Sequence, residues 1–332
     1  NWSGTDPDGD EVTLLNAAIA PETNGTMAIT GPGVISADET FTLRLSWDNV
    51  SALPGEDWLG AVSIGSDRDS PGDIGVIPVR FQRSGISQPA TFPLHNGMDH
   101  GLAVAAGASH DRLFIDVPPG ASSLTVSASA REAEQNADLT LELRRLAFED
   151  ALLDPPFAAT QAGAAAVASA SGEGTSGATV SVSGASLQAG RWYAVLDNGN
   201  AASVAIEIRA DVAFDGGELP VYRGHWYPGP GARSGRGYEY NWGSGGRALI
   251  WYDYDESGQP TWYYAGAEAT GTDIWVADLY RVSNDGAEQQ LTVVGKVSVT
   301  NLAEDDQLFS FTLFGQSGTD RMTPLAAQTC PQ

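Results

Sequence analysis

The clearest chemistry-bearing cluster comes early, where Asp6-Pro7-Asp8-Gly9-Asp10 sets three carboxylates at alternate positions around a glycine turn. Hard oxygens converging on one centre are what a calcium ion requires. An EF-hand is excluded, because glycine at its sixth position and glutamate at its twelfth are both missing. Two readings stand: Asp6, Asp8 and Asp10 share a Ca2+ ion, or they form a solvated acidic turn. His95 and His100 flank Asn96-Gly97-Met98-Asp99. Zinc sites draw three or four ligands at recognisable spacing, and no cysteine pair or His-Glu cluster completes this set. With His110 and His225 they read as ordinary interface or loop histidines. Acyl transfer needs a nucleophile, a base and an orienting acid in contact, and the sequence marks none. Glycoside hydrolysis needs two carboxylates facing across a cleft, and the 42 acids single out no pair.

The second chemical resource is aromatic. Of 19 Trp and Tyr residues, 14 lie in the last 113 positions. Leu249-Ile250-Trp251-Tyr252-Asp253-Tyr254 and Thr261-Trp262-Tyr263-Tyr264, joined by Glu256-Ser257-Gly258-Gln259-Pro260, predict an aromatic hairpin. Rings occupy both faces of both strands, so neither face is ordinary solvated polar surface. Trp and Tyr stack on sugars and grip peptides, and they are enriched at interfaces. Trp226, Trp251, Tyr252, Trp262 and Tyr264 are therefore the expected binding surface. The competing reading fills a thin core with the same rings. Charge in this region is milder than elsewhere, with 13 acids against 7 bases.

What must position these residues is almost wholly β. Period-2 alternation runs through Thr40 to Trp47, then Leu113, Ile115, Val117, then Leu124, Val126, then Leu139, Leu141, Leu143. It returns at Val204, Ile206, Ile208 and at Phe309, Phe311, Leu313. Alternation buries one face of a strand and wets the other. Turn signals such as Pro119-Gly120, Asn198-Gly199 and Asp285-Gly286 separate the runs. The expected fold class is all-β: tandem antiparallel β-sandwich or jelly-roll domains followed by a small aromatic-rich antiparallel β domain. Gly/Ser/Pro at 84–90 and acidic Gly-rich sequence at 215–220 set the expected domains at 1–86, 87–216 and 217–332. Ala158 to Gly177 is nearly all Ala, Ser, Gly and Thr; a short helix is one reading, but small side chains and glycines favour a loop or poorly anchored excursion.

Composition bounds the partners. The 332 residues suffice for two or three cores. A formal charge of −25 argues against nucleic acid, which needs clustered Lys and Arg, and against anionic lipid. No apolar run is long enough to insert in a membrane as a helix, and no signal peptide is evident. The single cysteine, Cys330, allows no internal disulfide. Asn1 without a methionine suggests a processed part of a longer precursor, its export signal upstream.

Several phrases carry resemblances. Trp58-Leu59-Gly60-Ala61-Val62-Ser63-Ile64-Gly65 with Pro71-Gly72-Asp73-Ile74-Gly75-Val76-Ile77-Pro78-Val79 resembles the β-sandwich module behind the catalytic domain of secreted bacterial subtilisin-like peptidases. Arg112 to Ala121, Asn136-Ala137-Asp138-Leu139 and Leu187 to Tyr193 are similar to a bacterial pre-peptidase C-terminal domain, a jelly-roll-like sandwich. In that family a tight Gly/Asp turn precedes Asp-Leu. Here Arg131-Glu132-Ala133-Glu134-Gln135 replaces it, so a metal role for Asp138 does not carry over. Gly224-His225-Trp226-Tyr227-Pro228 and Ala232 to Tyr238 resemble a C-terminal module of secreted proteobacterial proteins. Asp6 to Asp10 resembles the turns of bacterial cadherin-like repeats, where calcium stiffens a junction. Asn24-Gly25-Thr26-Met27-Ala28 echoes the phrase around a subtilisin serine, but the serine is missing.

Together these imply a secreted, extracellular or cell-surface bacterial chain without catalysis of its own. It would be an accessory array of an exported peptidase, serving export, tethering or substrate binding. Its partners would be an extracellular protein, a polysaccharide or copies of itself. The alternative is a self-assembling subunit of an extracellular filament or adhesin. If Asp6, Asp8 and Asp10 share an ion, millimolar calcium raises the melting temperature by linkage, and Asp8→Ala abolishes the increment. An identical melting curve with calcium and with a chelator rejects the site.

Overall fold

A computed structural model describes residues 27–30, 43–47, 57–67, 70, 72–82, 91–131, 138–150, 159, 163–172, 177–228, 235–243, 245–254, 259–284 and 289–325. Strands dominate them, and the fold is all-β. Asp6, Asp8 and Asp10 lie outside the described residues, as does the 84–90 boundary. In the first 86 residues the described parts are two antiparallel pairs, β1 (Met27–Thr30) with β2 (Arg44–Trp47) and β3 (Asp57–Ile64) with β4 (Gly75–Gln82).

From position 92 to 214 two sheets face each other. One is five-stranded, in the order β10 (Ala165–Gly172), β9 (Leu139–Leu146), β12 (Gly190–Asn198), β7 (Ser109–Val117), β5 (Phe92–Pro93). The other is four-stranded, in the order β11 (Ala178–Ser183), β8 (Ala121–Ala130), β13 (Val204–Phe214), β6 (Asp99–Val104). The alternating residues meet between them: Leu113, Ile115, Leu141 and Trp192 from the first sheet, Leu124, Val126, Ile206 and Ile208 from the second. The Ala/Ser/Gly stretch is not a loose excursion. Ala165–Gly172 is the edge strand of the five-stranded sheet, paired antiparallel with β9 across a register shift between Ala166 and Ala168. An edge strand is held by backbone pairing on one side, and its outward side chains need no bulk. Ser171 Oγ also lies 3.0 Å from Thr140 Oγ1 on β9.

The rest closes into an eight-stranded antiparallel barrel: β14 (Gly224–Tyr227), β15 (Gly237–Trp242), β16 (Gly246–Tyr254), β17 (Pro260–Glu268), β18 (Ile274–Asn284), β19 (Gln289–Ala303), β20 (Asp306–Leu313) and β21 (Gln316–Pro324). Closure leaves no sheet edge for aggregation. Phe314 and Gly315 join β20 to β21, and both have positive φ (49° and 74°), as a two-residue type I′ turn requires. Phe314 tolerates this because its N–H donates to Val294 O at 2.9 Å and its ring packs edge-on against Tyr263. The segment between β13 and β14 crosses one end of the barrel. Leu219 N–H donates to Asp273 Oδ1 at 2.8 Å, and Glu218 pairs with the buried Arg247.

Sandwich and barrel share a buried polar seam. Arg191, fully buried, donates two hydrogen bonds to Asp116 at 2.8 and 2.9 Å and stacks 3.9 Å above the Phe114 ring. Ser310 of β20 donates to the same carboxylate at 3.2 Å. His95 Nδ1 and Ser298 Oγ of β19 share a hydrogen bond at 2.6 Å. Burial, then the charge of Lys296, then His100, push the His95 imidazole down to about 3. Asp99 also lines the small cavity around these groups.

Linkage sets the sign of the pH dependence. Between the unfolded value near 6.5 and the folded value, the unfolded state binds the extra proton, so acid favours unfolding. Stability is expected to hold above about pH 6.5 and to fall below it, approaching about 1.4 kcal/mol per pH unit from this one group. Urea melts of the wild type and His95→Asn between pH 4 and 8 measure it, and the variant is expected to show a shallower acid limb. Parallel limbs would remove His95 as the source.

Candidate functional site

Alternation within the barrel divides its rings into two sets. Trp226, Tyr238, Tyr240, Leu249, Trp251, Tyr263, Trp275, Phe309 and Phe311 point inward and form one core. Trp251 sits 4.5 Å from Phe311 and 5.1 Å from Phe309, centroid to centroid. Tyr238 donates to Gln307 Oε1 at 2.5 Å, and Trp226 Nε1–H to Tyr222 O at 3.2 Å, so their polar atoms are satisfied inside. The binding role expected of Trp226 and Trp251 is therefore corrected: at 1% and 2% exposure they are packing residues.

The other parity points out. On the barrel strands Tyr252 (40% exposed), Tyr254 (40%) and Trp262 (45%) are the large exposed rings among the described residues; Tyr222, before β14, is exposed at 44%. Tyr252 stands opposite Trp262 in the ladder, and Ile250 opposite Tyr264. Tyr264 in turn opposes Tyr280 of β18, their centroids 6.4 Å apart. Opposed residues on one sheet face lie within side-chain contact, so Tyr252, Trp262, Tyr264 and Tyr280 make one continuous patch over β16–β18. Of the five residues expected at a binding surface, Tyr252, Trp262 and Tyr264 are brought together here. Tyr254, Ile250 and Tyr280 join them. Parity alone could have assigned the first two once Tyr252 was known to face out, whereas Tyr280 required the register between β17 and β18.

Two carboxylates on this face are engaged. Glu239 on β15 accepts from Asn241 Nδ2 at 2.8 Å and lies 3.5 Å from the Tyr252 hydroxyl. Burial, then the Glu239 carboxylate, hold the Tyr252 phenol above its usual range, so it is neutral at ordinary pH. Asp278 pairs with Lys296 at 2.8 Å. From Tyr264 an open depression of about 640 Å3 continues past Gly266 and Glu268 towards Asn241 and Trp242, at the turn between β15 and β16.

The histidines do not converge on a metal. His95 is in the seam, while His225 is exposed. Among the described residues no three His, Cys, Asp or Glu side chains are grouped to hold an ion. Among them, too, no helix is long and apolar enough to cross a membrane. Comparison with known proteins finds no matching family model and no matching curated protein.

The two tryptophans of the hairpin are expected to behave oppositely. Trp251→Ala should lose roughly 3–5 kcal/mol of folding stability, as for a large buried ring. Trp262→Ala should stay within about 1 kcal/mol of wild type, as a surface change does. Chemical denaturation of both variants measures the split, and equal losses would put Trp262 in the core.

Proposed function

We propose that the chain is a non-catalytic binding array whose recognition surface is the outward aromatic face of the barrel. The observation that carries this is the exposed patch of Tyr252, Tyr254 and Trp262, continued by Tyr264 and Tyr280. The barrel already has a full aromatic interior, so these outer rings add nothing to its core. Large apolar rings left at a surface raise the chance of association, and a protein retains them where association is the function. Rigid strands hold the rings in fixed rows, which lowers the entropy lost on binding. In this reading the sandwich carries and orients the barrel. The resemblance to peptidase-associated modules supports a setting beside an exported enzyme outside a bacterial cell, with the array as a tether to surface or substrate.

The test is retention of labelled full-length chain on immobilised bacterial envelope, on an insoluble polysaccharide and on the chain itself. Retention on at least one surface, lost in a Tyr252→Ala/Trp262→Ala variant of unchanged melting temperature, is the expected result. Equal retention by the variant would remove the aromatic face as the recognition surface. Turnover of casein or a peptide panel that survives repurification and tracks with one mutated residue would end the non-catalytic reading.

A second reading is favoured by β3 and β4, where Leu59, Val76 and Ile77 are exposed at 36%, 59% and 46%, and by Ile74 just before β4, exposed at 65%. Val76 and Ile77 are consecutive and face opposite ways, so both sides of the pair offer apolar surface to a second copy. Sedimentation across a concentration series distinguishes the readings: Ile74→Ser/Ile77→Ser should abolish self-association if a filament subunit is correct.

A further inference from the structure

The ligand class of this face rests on its being a binding surface. Three features of the aromatic face narrow its occupant.

The first is how the rings are presented. Tyr264 leans along β17 over Gly266, where a methyl group would collide with the phenol. Tyr254 rests in the same way against Gly235. A ring lying on bare backbone is fixed against the sheet, and its remaining side faces outward to a ligand. Flat ligands with an apolar face suit such a platform, and the C–H face of a pyranose is one.

The second is charge. Asp278 is matched by Lys296, while Glu239 accepts hydrogen bonds from Asn241 and Tyr252 and keeps its charge, so with Glu268 the patch is mildly acidic. An anionic polymer would meet the field of a chain carrying −25.

The third is length. Alternate residues along a strand lie roughly 7 Å apart, so the track from Trp262 through Tyr264 and Gly266 to Glu268 runs about 20 Å. That accommodates several sugar units in line. Beyond Tyr264 the track enters the depression, where Asn241 and Glu268 supply an amide and a carboxylate to hydroxyl groups.

We infer that β17 is the floor of a binding track for a neutral, extended polysaccharide. Trp262 and Tyr264 stack on successive sugars, Gly266 positions the Tyr264 ring, and Asn241 and Glu268 bond the hydroxyls. Sugar–ring stacking without charge is insensitive to salt, so binding should persist at high ionic strength.

The experiment is isothermal titration of the full chain with cellohexaose, xylohexaose and mannohexaose, and with polygalacturonate as the acidic comparison. At least one neutral hexasaccharide should bind, with equal affinity in low and high salt, and polygalacturonate should not. Trp262→Ala and Tyr264→Ala should each weaken binding at least ten-fold. Gly266→Ala, which displaces the ring without removing it, should weaken binding several-fold at an unchanged melting temperature. Absence of binding to all three neutral sugars, equal binding of polygalacturonate, or full affinity in Trp262→Ala would overturn the inference. If the sugars fail while surface retention still depends on Tyr252 and Trp262, the recognition face stands and its occupant is not a glycan. If neither assay depends on those rings, both the face and the glycan fall.

Discussion

Closing eight antiparallel strands into a barrel gives every strand one inside and one outside, and each ring on those strands must take one or the other. The interior of a small barrel holds a limited volume of side chain. Here Trp226, Trp251, Trp275, Tyr238, Tyr240 and Phe309 fill it. What remains on the other parity has no interior to enter. Tyr252, Trp262 and Tyr264 are outside for that reason, and the proposed recognition surface follows from it.

The barrel does not float on a linker. Its β20 and β19 set Ser310 and Ser298 against Asp116 and His95 of the sandwich. Ile274 of β18 enters the core of the sandwich while its neighbour Trp275 enters that of the barrel. Arg191 and Asp116 form a bidentate pair at full burial, and removing one partner would strand a charge in a dry site. The bonds that cross from barrel to sandwich are Ser310 to Asp116 and His95 with Ser298, and a small shift of the barrel would break both. The outward face of β16–β18 is thereby held at a fixed orientation to the sandwich.

Two residues of one hairpin illustrate how the same residue type takes opposite roles. Trp251 and Trp262 both stand in aromatic runs beside a turn signal. One is clasped between Phe309 and Phe311, the other lies nearly half exposed. Glycine plays the complementary part: Gly266 leaves room above the backbone into which Tyr264 folds, and the depression begins there.

The sequence by itself determined the strands with a single apolar face and the rows they bury. Leu113, Ile115, Val117 and Leu139, Leu141, Leu143 read as buried rows and are buried rows, because a period of two is a property of the extended backbone alone. It also showed that the hairpin carries rings on both faces. Which face becomes core was not legible, since alternation is symmetric until closure supplies an inside. Residue type alone therefore puts Trp226 and Trp251 on the wrong side. Nor could local composition reveal β10, whose Ala, Ser and Gly side chains say nothing while its backbone pairs with β9. The approach of Tyr280 to Tyr264 depends on the register of two strands, and the meeting of His95 with Ser298 joins positions 203 apart in the chain. Those contacts exist only once separate sheets have packed, and only the tertiary structure decided them.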